Sequence, residues 1–416
     1  MRIWIVTVGE PSPVDGVAVR LHRAGLLSRY MHQRGHEVVS FNGTIEHSAR
    51  RQRFEETTVT KGDDGMAQVF LYGRIYQRNI SPARIGNNRD VGKSFTAVSA
   101  KLEKPDVIVC SYPPIELAYA VSKYAKANNI PYVLDLRDMW PDIIADVAPK
   151  LLRPLARLAM FRWFSQARTA SRLATGLVGI SRPFLDWGLG MAKRKAGHND
   201  RVFHLANDPD AAAPDELAKA EAFWDAAGVT TDKFILLFSG MYSARHDFET
   251  VINGAHLLPD DLKANIRIVF CGKGEAEEKM KAAANGAPYI VFAGWRNLAD
   301  IQTLCKRAKG GLLPYPSTQD FMISYPNKVG EYLSAGLPII TSLKGEITKL
   351  IGDENCGVLY TEGDAKSFAN AVMQLIRTPD SLKVMSNAAF GVYARAFNPK
   401  QIYADYAAYI EGFRKS

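Results

Sequence analysis

The sequence predicts an α/β protein made of two doubly wound, Rossmann-like domains facing a cleft. Three observations lead there. Short β-branched, apolar runs alternate with helical stretches over the whole length, which predicts parallel sheets covered by helices on both faces. At 416 residues the chain exceeds what one hydrophobic core supports, so two domains of about 200 residues each are expected. Near the middle, the turn-forming stretch Asn207-Asp208-Pro209-Asp210-Ala211-Ala212-Ala213-Pro214 reads as the connection between them.

In the first half, strands are expected at Ile3–Val8, Glu37–Phe41, Val107–Ser111, Tyr132–Leu136 and Gly176–Ile180. Helical stretches between them include Val17–Arg34, stopped by Gly35, and Glu116–Asn129, stopped before Pro131. In the second half, strands are expected at Phe234–Phe238, Ile266–Cys271, Ile290–Ala293, Gly311–Leu313, Pro338–Thr341 and Gly357–Tyr360. Helices are expected at Phe248–Leu258, Ala276–Ala284, Leu298–Ala308, Lys328–Ala335, Thr348–Ile351 and Ala365–Arg377. The domains are set at 1–200 and 201–395, with a last helix in 396–416. There are no repeats or low-complexity tracts.

With 47% hydrophobic and 23% charged residues, the composition is that of an ordinary globular protein. No apolar run reaches the roughly 20 residues that span a bilayer, and no signal peptide precedes the first strand, so a cytoplasmic location is expected. Cys110, Cys271, Cys305 and Cys356 are far apart in sequence and read as buried thiols, not as a metal site or disulfide frame.

Charge is uneven. Residues 1–200 hold 29 Lys and Arg against 18 Asp and Glu, whereas the remainder holds 23 against 25. The densest basic stretch is Lys150–Arg172, with six basic residues and no acid. At about 100° per residue, Lys150, Arg153, Arg157, Arg168 and Arg172 share an arc of roughly 100°. Leu151, Leu152, Leu155, Leu158 and Trp163 fall on the other side, Met160 borders the arc, and Phe161 and Phe164 lie within it. Cations with interleaved aromatics suit an anionic membrane surface, peripheral to the inner membrane on its cytoplasmic face. A surface helix packed on its leucine side and a nucleic-acid footprint are the other readings. No zinc-finger or RRM-type motif supports nucleic acid as a partner.

The run Tyr325-Pro326-Asn327-Lys328-Val329-Gly330-Glu331-Tyr332-Leu333-Ser334-Ala335-Gly336-Leu337-Pro338-Ile339-Ile340 reads as loop, helix, glycine stop and buried strand. Its first helical turn carries Asn327 and Lys328, with Glu331 about one turn on. Amide N–H groups, a cation and a fixed carboxylate in one place suit a nucleotide, with phosphates at the helix mouth and ribose hydroxyls on the acid. An ordinary αβ unit with a solvated Glu331 fits the same spacing.

This run closely resembles the donor-site signature P-[NS]-K-x-x-E-Y-x-x-x-G-x-P of retaining nucleotide-sugar glycosyltransferases of family 4, which have the GT-B fold, and a weaker match extends over nearly the whole chain. The resemblance gives Glu331 the ribose and makes Asn327, Lys328 and Val329 part of the phosphate cradle. It implies a donor phosphate contact at the turn Gly240 to Arg245. Many relatives have Lys-Gly where this chain has Arg245-His246-Asp247, so one cation is lost or replaced by His246. The Gly272-Lys273-Gly274 turn matches a mostly structural G-x-G, and Trp295, Asn297 and Leu298 fall in the loop that reads the nucleobase. Arg137-Asp138-Met139-Trp140-Pro141 matches a His-Asp or Arg-Asp, then x-Trp-Pro pattern. Arg137, Asp138 and Trp140 are then candidates for sugar or acceptor contacts, although Arg137 stands where a histidine usually meets the donor sugar. Gly16 matches a loop glycine beside donor phosphates and acceptor. Each also has a plain structural reading: a βα turn with a solvated arginine, a glycine needed only for its angles, or Asp138 as a helix cap.

In many relatives, a first glutamate is separated from the Glu331 equivalent by seven intervening residues. That position is Ile323, and Asp320 is the nearest acid. Asp208-Pro209-Asp210 matches a D-x-D metal motif by letter only, and GT-B enzymes generally need no metal, so neither metal nor cofactor is expected. The resemblance implies retaining transfer from a nucleoside diphosphate sugar to a saccharide or polyprenyl-linked acceptor, in bacterial surface polysaccharide assembly. Arg245, Lys328 and Asp138 are the catalytic candidates, and no protein nucleophile is evident. It also implies an acceptor-binding first domain, a nucleotide-sugar-binding second domain, and a last helix, about Pro399 to Phe413, crossing back onto the first. A GT-B nucleotide-sugar epimerase or a non-catalytic nucleotide-sugar binder is the alternative.

Overall fold

A computed structural model describes the chain except for residues 17, 18, 20, 48, 63, 79, 80, 207–211 and 414–416. It divides into two compact units, Met1–Asp208 with Pro399–Ser416, and Pro209–Asn398. Most of the expected linker, and the D-x-D look-alike inside it, lies outside the described residues.

Among the described residues, the main sheet of the first unit has eight strands: β1 (Arg2–Val6), β2 (Glu37–Gly43), β3 (Thr58–Lys61), β4 (Ala67–Leu71), β5 (Val107–Tyr112), β6 (Tyr132–Leu136), β7 (Gly176–Gly179) and β8 (Arg201–Val202). Their order is β8-β7-β6-β5-β1-β2-β4-β3, parallel except for the edge pair β3-β4. All six residues of β5 and all five of β6 are buried, as strands covered on both faces require. The final helix, Pro399–Glu411, belongs to this unit: Tyr403, Tyr406, Ala407 and Ile410 join Ile3, Ile5 and Leu27 in one cluster. The helix expected from Val17 begins at Arg23 instead. Its first turn is held by the Glu10 carboxylate, which accepts from Ala24 N and Gly25 N.

The second unit holds six parallel strands: β9 (Phe234–Ser239), β10 (Ile266–Cys271), β11 (Ile290–Gly294), β12 (Gly310–Leu313), β13 (Ile339–Thr341) and β14 (Gly357–Leu359). Their order is β11-β10-β9-β12-β13-β14, the 3-2-1-4-5-6 arrangement of a dinucleotide-binding sheet. In both sheets the strand order reverses beside the first strand, between β1 and β5 and between β9 and β12. Loops at the carboxyl ends there are where such sheets bind ligands. The four cysteines are free and buried.

The basic stretch departs from expectation. It forms a short turn, Lys150–Leu152, and two helices, Arg153–Ala159 and Phe161–Leu173, broken at Met160. The leucine side does not pack. Leu151 (94% exposed), Leu152, Leu155, Leu158 and Phe161 stand in solvent with Val147. Arg153 and Arg157 turn inward to Asp146 and Asp142, and Phe164 is buried. Their partners Asp142 and Asp146 both belong to the preceding helix Asp142–Asp146.

Candidate functional site

The candidate donor site lies at the reversal point of the second sheet. After β9, the chain turns at Gly240 (φ +139°), whose N–H donates to Cys271 O at 2.7 Å. After β10, Gly272 (φ +153°) lies so close that a Cβ there would strike Gly240 O, and one on Gly240 would strike Lys328 Nζ. The positive φ at both turns, and at Gly272 the approach of the Gly240 backbone, therefore demand glycine. Gly272 N donates to Gly294 O (2.7 Å), which brings the Trp295–Leu298 loop alongside.

The helix Asn327–Ser334 buries Val329, Tyr332 and Leu333 and leaves Lys328 pointing at the turn. The Lys328 ammonium lies 5.1 Å from the Phe238 ring centroid. Burial holds its pKa below the ordinary lysine value, with Glu331 opposing. Glu331, one turn on, accepts from the Ser239 hydroxyl at 3.5 Å. Val329 departs from its expected role: it is fully buried and its N–H is spent on Pro326 O at 2.8 Å.

Arg245 is held by Asp320 (2.9 and 3.1 Å) and Thr318 (3.2 Å), with its guanidinium 4.7 Å from the Phe321 ring. Asp320, the nearest acid to Ile323, thus aims the arginine, and Ile323 itself is half-buried after a short helix, Gln319–Met322. His246 is enclosed by Phe238, Phe248, Tyr315 and Phe321, 4.3 Å from Tyr315 between ring centroids. Its Nδ1 is buried without a partner among the described residues. Burial, then Lys328 and Arg245, push its pKa down to about 4. Two cations and a neutral imidazole around a glycine turn form an environment built for an anion. Sequence reasoning touched His246 only as a substitute cation and missed Tyr315, because the ring cage is assembled from loops about 70 residues apart.

In the Trp295 loop, Trp295 is 66% exposed, Leu298 is exposed, and Asn297 spends its side chain capping the next helix through Asp300 N at 2.8 Å. The loop is left with the indole face and backbone groups.

The first unit's candidates are more constrained. Gly16 is exposed at φ +148° after the turn Pro13–Asp15. Asp15 fixes that turn, bonding Ser12 N and Arg53. Arg137 is committed to Glu10 and Asp135. Asp135 also accepts two bonds from the buried Arg23, at 2.9 and 3.1 Å, and Arg23 donates a third to His204 O at 3.0 Å. Burial favours an uncharged Asp135, yet Arg23 and Arg137 outweigh it and hold its pKa below the usual range. Arg137 is thus part of a buried ion network, whereas the sequence reading gave it a sugar contact. Asp138 accepts from Met139 N (2.7 Å), and Trp140 is half-buried with its carbonyl taking the Tyr112 hydroxyl. Glu10, Arg23, Arg53 and Asp135 were missed. One signal was available: Asp135 in the apolar strand Tyr132–Leu136 needs a buried partner. Among the described residues, no three His, Cys, Asp or Glu side chains are grouped to hold a metal, and no helix is long and apolar enough to cross a membrane.

Residues 233–378 match the family model of glycosyl transferases group 1, a segment containing every second-unit candidate from Gly240 to Glu331. No curated protein matches the chain. Among solved structures, HepE of Anabaena in complex with UDP is similar with a TM-score of 0.66 and 12% identity, over 99% of each chain. Sucrose-phosphate synthase of Thermosynechococcus elongatus is similar with a TM-score of 0.68 and 15% identity, over 98% of this chain and 97% of that one. WaaG, a glycosyltransferase involved in lipopolysaccharide biosynthesis, is similar with a TM-score of 0.63 and 16% identity, over 99% and 100%. At these identities the likeness establishes the fold, two Rossmann-like units of the GT-B type.

Proposed function

We propose that the protein is a retaining glycosyltransferase that moves a sugar from a nucleoside diphosphate sugar to a saccharide or lipid-linked acceptor in bacterial surface polysaccharide assembly. The observation that carries this is the Lys328 ammonium pressed on Gly240 at the sheet's reversal point, with Glu331 one helical turn away. A diphosphate there meets Lys328, the Asn327 end of the helix and Arg245, while the ribose hydroxyls reach Glu331. The Trp295 loop, joined to Gly272, takes the base. The second unit is then the donor domain and the first the acceptor domain, with Gly16, Asp138 and Trp140 on the acceptor or sugar side.

In the reaction, the bond from the anomeric carbon to the diphosphate oxygen breaks and the diphosphate keeps the electron pair. The acceptor oxygen bonds to the same face, and its proton passes to the departing phosphate. The chain's part is electrostatic, since Lys328 and Arg245 neutralise charge as it develops, and removing one such group costs about 10²–10³ in kcat. No metal has a role in this scheme.

We place a lipid surface at Val147–Phe161. Six large apolar side chains stand exposed there, rimmed by Lys150, Arg162, Arg168 and Arg172. The acceptor is then membrane-borne and met on the cytoplasmic face.

The test is calorimetric titration of a panel of nucleoside diphosphates and sugar nucleotides into wild type and Glu331→Ala. Selective binding of one base, weakened about tenfold or more by the substitution, is the expected result. Binding of no nucleotide would overturn the reading.

A further inference from the structure

A second cavity, of about 190 Å³, opens at the reversal point of the first sheet. It lies between the loop after β1 (Thr7–Glu10) and the end of β5 (Ser111–Pro114), the position where a doubly wound sheet binds ligands. Its volume is several times the ~30 Å³ of one water in the liquid. His47, Arg84, Asn88, Arg137 and Trp140 line it.

The polar side chains are organised around Tyr76, which is 2% exposed. Its hydroxyl accepts from Arg84 and bonds His47 Nδ1 at 2.5 Å, and Arg50 donates to the same Nδ1 at 2.8 Å. The Arg84 and Arg50 guanidinium groups lie over the Tyr76 ring, 4.4 and 5.2 Å from its centroid. Because Nδ1 accepts, the His47 proton sits on Nε2, leaving that atom a donor.

Carboxylates nearby are already used. Glu10 and Asp135 serve Arg137 and Arg23, and Glu116 accepts from Trp163 Nε1 at 2.9 Å. Among the described residues, none pairs with Arg84. Every other arginine with a displaced pKa is raised by a carboxylate partner. Arg84 alone is lowered, by burial first and with Arg50 adding to it, while Tyr76 and Glu116 oppose. A half-buried guanidinium bonded to a neutral hydroxyl, with no carboxylate in contact among the described residues, carries a standing cost that a bound anion reduces.

We propose that this cavity binds a phosphate ester, with Arg84 and His47 Nε2 contacting the phosphoryl oxygens, and that in the transferase reading this is the phosphorylated end of the acceptor. Only the identity of the molecule rests on that reading. The anion site itself rests on Arg84, His47 and Tyr76. The ester comes either from an isoprenoid diphosphate, whose chain would lie along Pro113, Pro114 and Trp140, or from a soluble sugar phosphate.

Inorganic pyrophosphate and geranyl diphosphate are titrated into the full-length Lys328→Ala protein, where the donor site is impaired, and into Lys328→Ala with Arg84→Gln. Pyrophosphate is expected to bind the first and to weaken about tenfold or more in the second, with Arg84→Lys restoring part of the loss. Tighter binding of geranyl diphosphate assigns the isoprenoid source, and equal binding assigns the soluble one. In wild type, phenylglyoxal modification mapped by mass spectrometry should show Arg84 protected by pyrophosphate, a readout independent of how the variants fold. Equal binding by both variants, or modification of Arg84 unaffected by ligand, would overturn the proposal. Absence of nucleotide binding to wild type bears only on the second unit, so the two readings fail separately.

Discussion

At the residue scale, His246 offers the sharpest chemistry. It is neutral in the empty site because burial, Lys328 and Arg245 all oppose its protonation, with a pKa of about 4. A diphosphate among the same groups reverses the local field and raises that pKa toward the ordinary histidine value of about 6.5. Between about 4 and 6.5 the complex therefore holds more protons than the free protein, so binding takes up protons and strengthens as pH falls through that window. Titrating a sugar nucleotide, whose diphosphate does not ionise there, at pH 6 in buffers of different ionisation enthalpy should show proton uptake that His246→Phe abolishes. Uptake equal in both proteins would place the diphosphate away from His246. Lys328 and Glu331 were legible in the sequence because helix geometry over four residues fixes their relation. His246 and Arg84 were not, since what matters at each is which side chains surround it. Those neighbours come from loops 8 to 80 residues away.

At the scale of elements, the strands were legible where apolar runs are continuous, as in Tyr132–Leu136 and Ile266–Cys271, whose expected and observed limits coincide. The strands Thr58–Lys61 and Ala67–Leu71 and the helix Pro82–Ser99 went unseen. Thr58–Lys61 is a half-exposed edge strand, and Pro82–Ser99 is rich in Gly, Asn and Ser, with no clear apolar stripe. Periodicity showed that Lys150–Arg172 has two sides but not which one packs, because the groups it meets, Asp142 and Asp146 among them, lie outside the stretch. The consequence is testable. Reversing Arg153 and Arg157 would break ion pairs with Asp146 and Asp142, so it does not isolate lipid contact. Leu155→Ser with Leu158→Ser removes apolar surface that is mostly exposed, and transfer into lipid gains about 25 cal/mol per Å² of such surface. Sedimentation with anionic vesicles should fall about tenfold or more with thermal stability unchanged; unaltered sedimentation would remove the lipid surface from the proposal.

At the scale of the whole molecule, the first unit is discontinuous: its sheet comes from residues before 208, yet its last helix arrives only after the second unit is complete. The helix Pro399–Glu411 is held by stacking of Tyr406 on Phe203 (4.5 Å between centroids) and by a charge clip. In that clip Glu411 takes Arg34 at 2.8 and 2.9 Å and His36 at 2.8 Å. These hydrogen bonds, Arg34's first, lower the Glu411 pKa from 4.5 to about 2. The folded value lies below the unfolded one, so the clip contributes fully above about 4.5 and its contribution is lost as pH falls from there through about 2. Other paired carboxylates, among them Asp15, Asp90 and Asp200, titrate in the same acid range, so the wild-type curve alone does not isolate the clip. Comparison with Glu411→Gln does. At neutral pH the variant should be less stable to denaturant, and the difference should shrink steadily between pH 4.5 and 2, because protonation removes from wild type what the substitution has already removed. A difference that stays constant with pH would mean that apolar packing, not the clip, fastens the last helix to the first unit.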